Sequence, residues 1–304
     1  MVSWKDRFDD IEVRWFDDAY LSNASSVPSV LYHYTDAAGL MGMLKGGKVW
    51  ATDYRFLNDK SEVGHSKAII REILADRLKG SGSDDLKKLY AEILAYQDMD
   101  PVEDPFLFSF SEDPDDLSQW RGYARDGQGF TIGFCGPTLY ALALPEEAHF
   151  GLIKVEYVHD RQKEIFQRIL SEIEGELTSA LTGRRSRRAD CITYAAEAFD
   201  GAVDTRAVLN KHRSFRSERE WRLISVVAID DPDREQRVRS RGSRLVRYVE
   251  LPMDAPEPGK LPIKRIGVGP GFVGTEDVHA VRALCRDAGY SPEIYFAETP
   301  YRRV

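Results

Sequence analysis

Leu31-Tyr32-His33-Tyr34-Thr35-Asp36 is followed in this chain by Ala37-Ala38-Gly39-Leu40-Met41-Gly42-Met43-Leu44, then Lys45-Gly46-Gly47, then Val49-Trp50-Ala51-Thr52-Asp53. The order of signals is strand, short helix, glycine turn, second strand. Val30, Tyr32 and Tyr34 alternate with Leu31, His33 and Thr35, which is the period of a strand. Asp36 is a helix N-cap candidate. Leu40, Met43 and Leu44 share one helical face, and Gly46-Gly47 ends the helix because glycine adopts the left-handed cap conformation without strain. The one polar ring, His33, stands on an apolar strand just before a helix N-terminus, a place where ribose or phosphate can be held.

Outward from this stretch, the spacing of Trp4, Phe8, Ile11, Trp15 and Phe16 predicts an amphipathic helix over 3–20. Downstream, Asp59 and Glu62 fit a capping box opening a helix to Lys79. A second helix over Ser83–Tyr96 makes a hairpin with it, and Asp98 to Pro105 reads as an acidic loop. Phe106 to Ser111 is a strand, Asp115–Ala124 a short helix, Phe130–Phe134 a strand and Leu152–Val158 another. Strand signals then stop for about 50 residues, long for a single connection. Helices over Arg161–Leu181 and Ala189–Lys211, the second open to a break near Gly201, form an insertion at about 160–212. Strands return at Arg219–Val227, Leu245–Leu251, Lys264–Gly269 and Glu293–Ala297, with a helix over Glu276–Ala288. Strands and helices do not alternate strictly, so the class is mixed α+β in a single domain over 1–304.

Composition sets outer bounds. Of 304 residues, 42% are hydrophobic and 30% charged, which suits a soluble globular protein with a sizeable core. No apolar run is long enough to span a bilayer, and Met1 to Asp6 lacks the apolar centre of a signal peptide. Cys135, Cys191 and Cys285 are too few and too far apart for a disulfide framework or a metal site. These features place the expectation in the cytoplasm, with no membrane and no metal. A net charge of -8 disfavours extended non-specific nucleic-acid binding. Arginines nevertheless gather at Arg184, Arg185, Arg187 and Arg188, and again at Arg234, Arg237, Arg239, Arg241, Arg244 and Arg247. The second group reads as a solvated loop and strand start.

Three stations carry candidate chemistry. The first is His33 with Tyr34 and Thr35. The second is Ser109-Phe110-Ser111 with the following Gln119, Trp120, Arg121 and Tyr123. The third is Ser217-Glu218-Arg219-Glu220-Trp221-Arg222. Each also has a plain structural reading: a core histidine, polar strand positions, and a surface ladder of alternating Glu and Arg. Trp120 is by type more often core than ligand platform. The Gly267-Val268-Gly269-Pro270-Gly271 run lacks the Lys-Ser/Thr of a phosphate loop.

The opening stretch, with its Gly-Gly and an end near Asn58-Asp59, resembles an uncharacterised bacterial family associated with the ADP-ribosyltransferase superfamily. It is similar also to the opening of DarT-type DNA ADP-ribosyltransferases. The order of the three stations, a first-strand His, a second-strand Ser and a late-strand Glu-x-Glu, extends that resemblance from Leu31 to Tyr295. It implies mixed or antiparallel sheets forming a cleft, with inserted helices. It also implies an NAD-consuming transferase of the glycosyltransferase class that modifies a macromolecule, nucleic acid or protein. A toxin or phage-defence role, with a neutralising protein as partner, goes with it. Catalysis would fall to Glu220 and Glu218. NAD, as substrate, would meet His33, Tyr34, Thr35, Tyr54, Ser109, Ser111, Trp120, Arg121 and Tyr123, with Arg121 or Arg55 on the pyrophosphate.

The chemistry of those residue types agrees with this assignment. Breaking the nicotinamide–ribose bond develops positive charge on the ribose, the same kind of charge that glycosidase carboxylates stabilise. A fixed carboxylate in a water-poor cleft lowers that barrier. NAD hydrolysis, phosphate transfer on RNA in the same fold, and a non-enzymatic binding module remain alternatives. The phosphate reading requires several basic residues converging on His33.

Overall fold

The computed structural model describes residues 3–57, 61–98, 103–143, 150–182, 187–228, 236–241, 243–253, 257–272 and 274–301. Asn58, Asp59, Arg184, Arg185 and Arg234, read above as cap or basic-cluster residues, lie outside these, as do most of the acidic loop before Pro105 and the side chains of Phe16 and Glu62.

The opening stretch folds as its pattern dictates. Strand β1 spans Val30–Thr35, helix α2 Ala37–Gly46 and strand β2 Lys48–Asp53, with helix α1 ahead of them over Trp4–Leu21. Asp36 caps α2 by accepting from the Gly39 amide, and Gly47, left-handed at φ 62°, closes it. Leu40, Met43 and Leu44 are the buried face of α2. The second strand ends earlier than its apolar run suggests, at Asp53, because Tyr54–Phe56 forms a tight turn capped by the Asp53 carboxylate.

Strand β3 (Glu103–Ser111) is the hub. Strand β6 (Glu220–Ala228) pairs antiparallel along its whole length, from Glu103↔Ala228 to Ser111↔Glu220. The opposite edge of β3 is shared. β2 meets it at Thr52↔Leu107 and Asp53↔Phe106, whereas β1 meets it at Tyr32↔Ser111. The sheet therefore forks between β1 and β2. Strands β4 (Phe130–Cys135), β9 (Ile263–Val268) and β10 (Glu293–Phe296) continue beyond β1, with β10 parallel to β9. Strands β8 (Arg244–Pro252) and β7 (Arg237–Arg241) continue beyond β2, and β5 (Phe150–Lys154) lies outside β6. The result is the mixed, mostly antiparallel α+β architecture expected from the pattern.

The arginine segment corrects its reading as a loop. Arg237, Arg239 and Arg241 sit on β7, and Arg244 and Arg247 on β8, in a paired hairpin. Their long polar side chains hid the strand period. Helix α6 (Gly136–Leu142), with Pro137 in its first turn, was also not visible in the pattern.

Helices form a second layer. Helices α3 (Ser61–Gly80), α4 (Asp84–Tyr96), α7 (His159–Leu181) and α8 (Arg188–Ala207) join α1 around a separate core of Phe8, Trp15, Ile73, Tyr90, Phe166 and Phe199. The expected insertion thus supplies two helices of a five-helix cluster, and α8 runs through Gly201 without a break. Helix α9 (Glu276–Asp287) instead packs Val278, Val281 and Cys285 onto the sheet core. Helix α5 (Leu117–Tyr123) presses Trp120 against Tyr32 and Tyr34 in a third, small cluster.

One close approach ties α5 to β1. A Cβ on Gly129 would stand 2.4 Å from the Thr35 carbonyl oxygen and 2.8 Å from the Ala124 Cα, both backbone atoms with no rotamer to yield. Gly129→Ala is expected to destabilise the protein by about 1–3 kcal/mol, the usual cost of overpacking. A lowered urea midpoint with an unchanged m value is the expected result; an unchanged midpoint would mean that β1 and α5 are not held this tightly.

Candidate active site at the fork of the sheet

Where β1 and β2 part, Ser109 on β3 has its strand partner, Arg222, on the β6 side. Its carbonyl meets the His33 ring, with Nδ1 at 2.8 Å. A carbonyl oxygen only accepts, so Nδ1 carries the proton and donates. In the neutral ring Nε2 is then left with its lone pair. The imidazole lies flat on Phe108, with ring centroids 4.1 Å apart. Burial pushes the His33 pKa down to about 4; the hydrogen bond to Ser109 pulls the other way, and the charges of Arg239 and Arg241 lower it further. His33 is neutral at physiological pH.

A small, partly open cleft lies at this fork. His33, Ser109 and Glu220, from β1, β3 and β6, all line it. Glu218, Ser111, Tyr34 and Tyr123 line it too. The other residues assigned to NAD by resemblance stand elsewhere. Trp120 is fully buried, donates its indole N–H to Asp115 at 2.7 Å and meets Tyr34 edge-on, so it is a core residue and no ligand platform. Thr35 is buried at the end of β1, and Tyr54 packs at the edge of the sheet core. Arg121 points outward toward Asp126, and Arg55 is held by both oxygens of Asp53.

The carboxylate pair is built differently from a surface ladder. Glu220 is 5% exposed and Arg222 1%. Two residues apart on β6, they share a face. Arg222 Nε and Nη2 donate to the two Glu220 oxygens at 2.8 and 2.9 Å. Lys211, just past the end of α8 and 3% exposed, adds a third donor to Glu220 at 3.0 Å and also pairs with Glu218. The Ser109 side chain adds a smaller stabilisation of the carboxylate. Burial favours the neutral acid, but Arg222 first and Lys211 next overcome it and hold the Glu220 carboxyl below its ordinary range. Glu220 is ionised, with its acceptor positions filled.

Glu218 contrasts with it. It ends a tight turn over Arg213–Glu218, and Arg219 follows in the left-handed region at φ 43°. The extended segment expected here is absent, and Lys211 rather than strand geometry brings the two carboxylates together. The turn is held by Ser111, whose hydroxyl donates to the Glu218 carbonyl at 2.8 Å. Of the Glu218 carboxylate, Oε2 accepts from Lys211 while Oε1 accepts from no described residue. Burial lifts the Glu218 pKa above its ordinary value, Lys211 works against the rise, and Glu220 adds to it.

Lys211, Arg222 and Arg241 were not singled out as cleft residues. For Arg222 the signal was partial: Ile224 shares the face of Glu220 and Arg222, which marks that face as apolar at its far end. For Lys211 there was none, since its place depends on how α8 packs. Among the described residues no group of three His, Cys, Asp or Glu side chains is placed to hold a metal ion, and no helix is long and apolar enough to cross a membrane.

Residues 119–223 match a family described as "Protein of unknown function (DUF2971)". The matched segment begins at Gln119 and contains Lys211, Glu218, Glu220 and Arg222, while His33 and Ser109 lie before it. No curated protein matches the chain, and no solved structure does.

His33 gives the site a pH signature. The native ring titrates near 4 and the unfolded one near 6.5. Its contribution is whole above pH 6.5 and is lost as pH falls from 6.5 toward 4, because the unfolded chain takes up a proton that the native chain refuses. The loss is at most about 3 kcal/mol. His33→Gln retains a side-chain donor but does not titrate. The stability difference, wild type minus variant, is expected to be flat from pH 8 to 6.5 and to fall below it. A difference flat down to pH 4 would contradict a neutral buried ring.

Proposed function

We propose that the protein is an NAD-consuming enzyme that transfers ADP-ribose to a macromolecular acceptor, nucleic acid or protein. The observation that carries this reading is the meeting of His33, Ser109 and the Glu218/Glu220 pair in one cleft, from three separate strands and a turn. The effector role implied by the resemblance belongs to the same proposal.

The residues support a division of labour. The bond between nicotinamide and the ribose C1′ breaks, and its electron pair leaves with nicotinamide. Positive charge develops on the ribose. Glu220, ionised and immobile, contributes a preorganised negative field that costs no reorganisation during the reaction. Glu218 offers the open oxygen. It is the group able to accept a hydrogen bond from a ribose hydroxyl and then the proton of the incoming nucleophile, as a new bond forms to C1′. His33 Nε2 is free to accept from the other ribose. With water as nucleophile the same steps give NAD hydrolysis.

A second reading, phosphate transfer on RNA, is favoured by one observation. Lys211, Arg222 and Arg241 line the cleft, and Arg239 and Arg241 act on His33 through their charge. This is the convergence that the phosphate chemistry demands. Lys211 and Arg222 are, however, already committed to the carboxylates.

The two glutamates separate role from scaffold. Glu220→Gln leaves two buried cations with a neutral partner and is expected to cost about 3–5 kcal/mol of stability. Glu218→Gln is expected to cost less than about 1 kcal/mol, to retain NAD binding, and to slow turnover roughly a hundredfold or more. Labelled NAD is incubated with protein, DNA and RNA in separate tubes. Label in one acceptor, lost in Glu218→Gln, supports transfer; nicotinamide release without labelling indicates hydrolysis; phosphate leaving labelled RNA without NAD loss indicates the second reading. Neither binding nor consumption of NAD would sink the proposal.

A further inference from the structure

Most polar groups of the cleft are already satisfied from within the protein. The Tyr34 hydroxyl donates to the Asp113 carbonyl and accepts from the Asp116 amide, both at 2.9 Å. The Ser111 hydroxyl is taken up by the Glu218 carbonyl and the Asp113 amide. Ser109 serves Glu220. Beside the open oxygen of Glu218 and Nε2 of His33, Gln119 is an exception. It is 8% exposed and lines the cleft from the first turn of α5. Its backbone amide donates to Asp116 at 3.0 Å, but its side-chain amide has no hydrogen bond to any described residue.

The side chain is mostly buried, yet its amide is not cut off from solvent and faces the cleft, so its hydrogen-bonding groups are open to a ligand. It carries two N–H donors beside a carbonyl acceptor, all in one plane. Its natural complement is another planar group with a donor next to an acceptor. Tyr123, 37% exposed, lines the same cleft and offers a ring on which a flat heterocycle can stack.

We infer that Gln119 is the recognition residue of the cleft, forming a paired donor–acceptor contact with the planar head group of the ligand. This rests on the NAD reading and deepens it. NAD has two such head groups: the carboxamide of nicotinamide, and the adenine edge, where N6 donates and a ring nitrogen accepts. Glutamine makes the second kind of pair with adenine in nucleic-acid recognition. The shared chemistry is the coplanar donor–acceptor edge, and the two sources differ in which fragment shows the effect.

The test is calorimetric titration of the full-length protein with NAD and two pairs of fragments. Nicotinamide is compared with nicotinic acid, which lacks the amide donor, and adenosine with purine riboside, which lacks the amino group. A preference for the parent in one pair is expected, by roughly tenfold to a hundredfold. Gln119→Met should abolish that preference and weaken NAD binding to the same extent, with thermal stability little changed because the amide makes no hydrogen bond to the described residues. Should Gln119→Met not fold, Gln119→Glu, of the same shape but without donors, is expected to lose the preference too. If NAD binds yet wild type shows no preference in either pair, or a folded variant retains it, this inference falls and the NAD reading stands. If neither NAD nor any fragment binds, both fall together.

Discussion

The hydrogen bond from His33 to the Ser109 carbonyl is the constraint on which the cleft depends. A sheet that forks leaves backbone groups facing a gap, and a buried carbonyl without a donor costs free energy comparable to a lost hydrogen bond. β3 is paired to β2 at Leu107 and to β1 at Ser111, so the carbonyl between them is the one at risk. An imidazole inserted from β1 and stacked on Phe108 satisfies it without closing the gap. The structural and functional readings of His33 are therefore compatible. Nδ1 is committed to the fold, and that commitment fixes the tautomer and leaves Nε2 for a ligand. Replacing the ring with an apolar one would pull the fork shut or orphan the carbonyl.

A second constraint runs through Lys211. Its ammonium sits between two carboxylates inside the cleft, while its backbone belongs to the helical layer. The Lys211 amide donates to the Glu156 carbonyl at 3.0 Å, and Gln162 of α7 donates to the carbonyls of Lys211 and Glu156 at 3.1 and 2.7 Å. Arg222 reaches the same layer through the Val208 carbonyl. Burying four charges is a net gain only where each is well paired. The helical cluster is thus more than an appended lid, because it delivers a cation without which Glu218 and Glu220 would repel each other. An interior dielectric makes that repulsion several times larger than it would be in water.

What was legible in the sequence follows from how local its cause is. β1, α2 and the Gly47 cap are written within a few residues of themselves, and the structure places them where the pattern does. The alternation of Phe106, Phe108 and Phe110 gave β3 for the same reason. The cleft residues were legible only in part. His33, Ser109 and Glu220 sit on elements with clear periods, and the fold brings them together, whereas Glu218 ends a turn that has none. Trp120 was ambiguous because a large aromatic is equally at home in a core. Lys211 was invisible because nothing local distinguishes a lysine after a helix from any surface lysine. Strand β8 lies where Leu245–Leu251 was expected, but β7 was misread because arginine stems can cover apolar surface while their composition signals a loop. Arg239 shows this directly, lying over Trp50 and Tyr248 at 5.2 and 5.4 Å from their ring centroids.

The β7–β8 hairpin also resolves the tension between an acidic protein and a cationic cleft. The net charge of -8 is a property of the whole surface, and at physiological ionic strength its influence fades within about 8 Å. The potential a ligand meets at the fork is set by what is fixed there. Arg239 is pinned by Thr52 at 2.8 Å and by two rings, and Arg241 reaches the cleft from the next position on the same face of β7. Their field has two effects at once. It adds to the burial that keeps His33 neutral, so that Nε2 stays an acceptor, and it favours an anionic ligand at the mouth. Arg239 is half-buried and Arg241 exposed, so the positive field is local to the fork, while the chain as a whole carries the net negative charge.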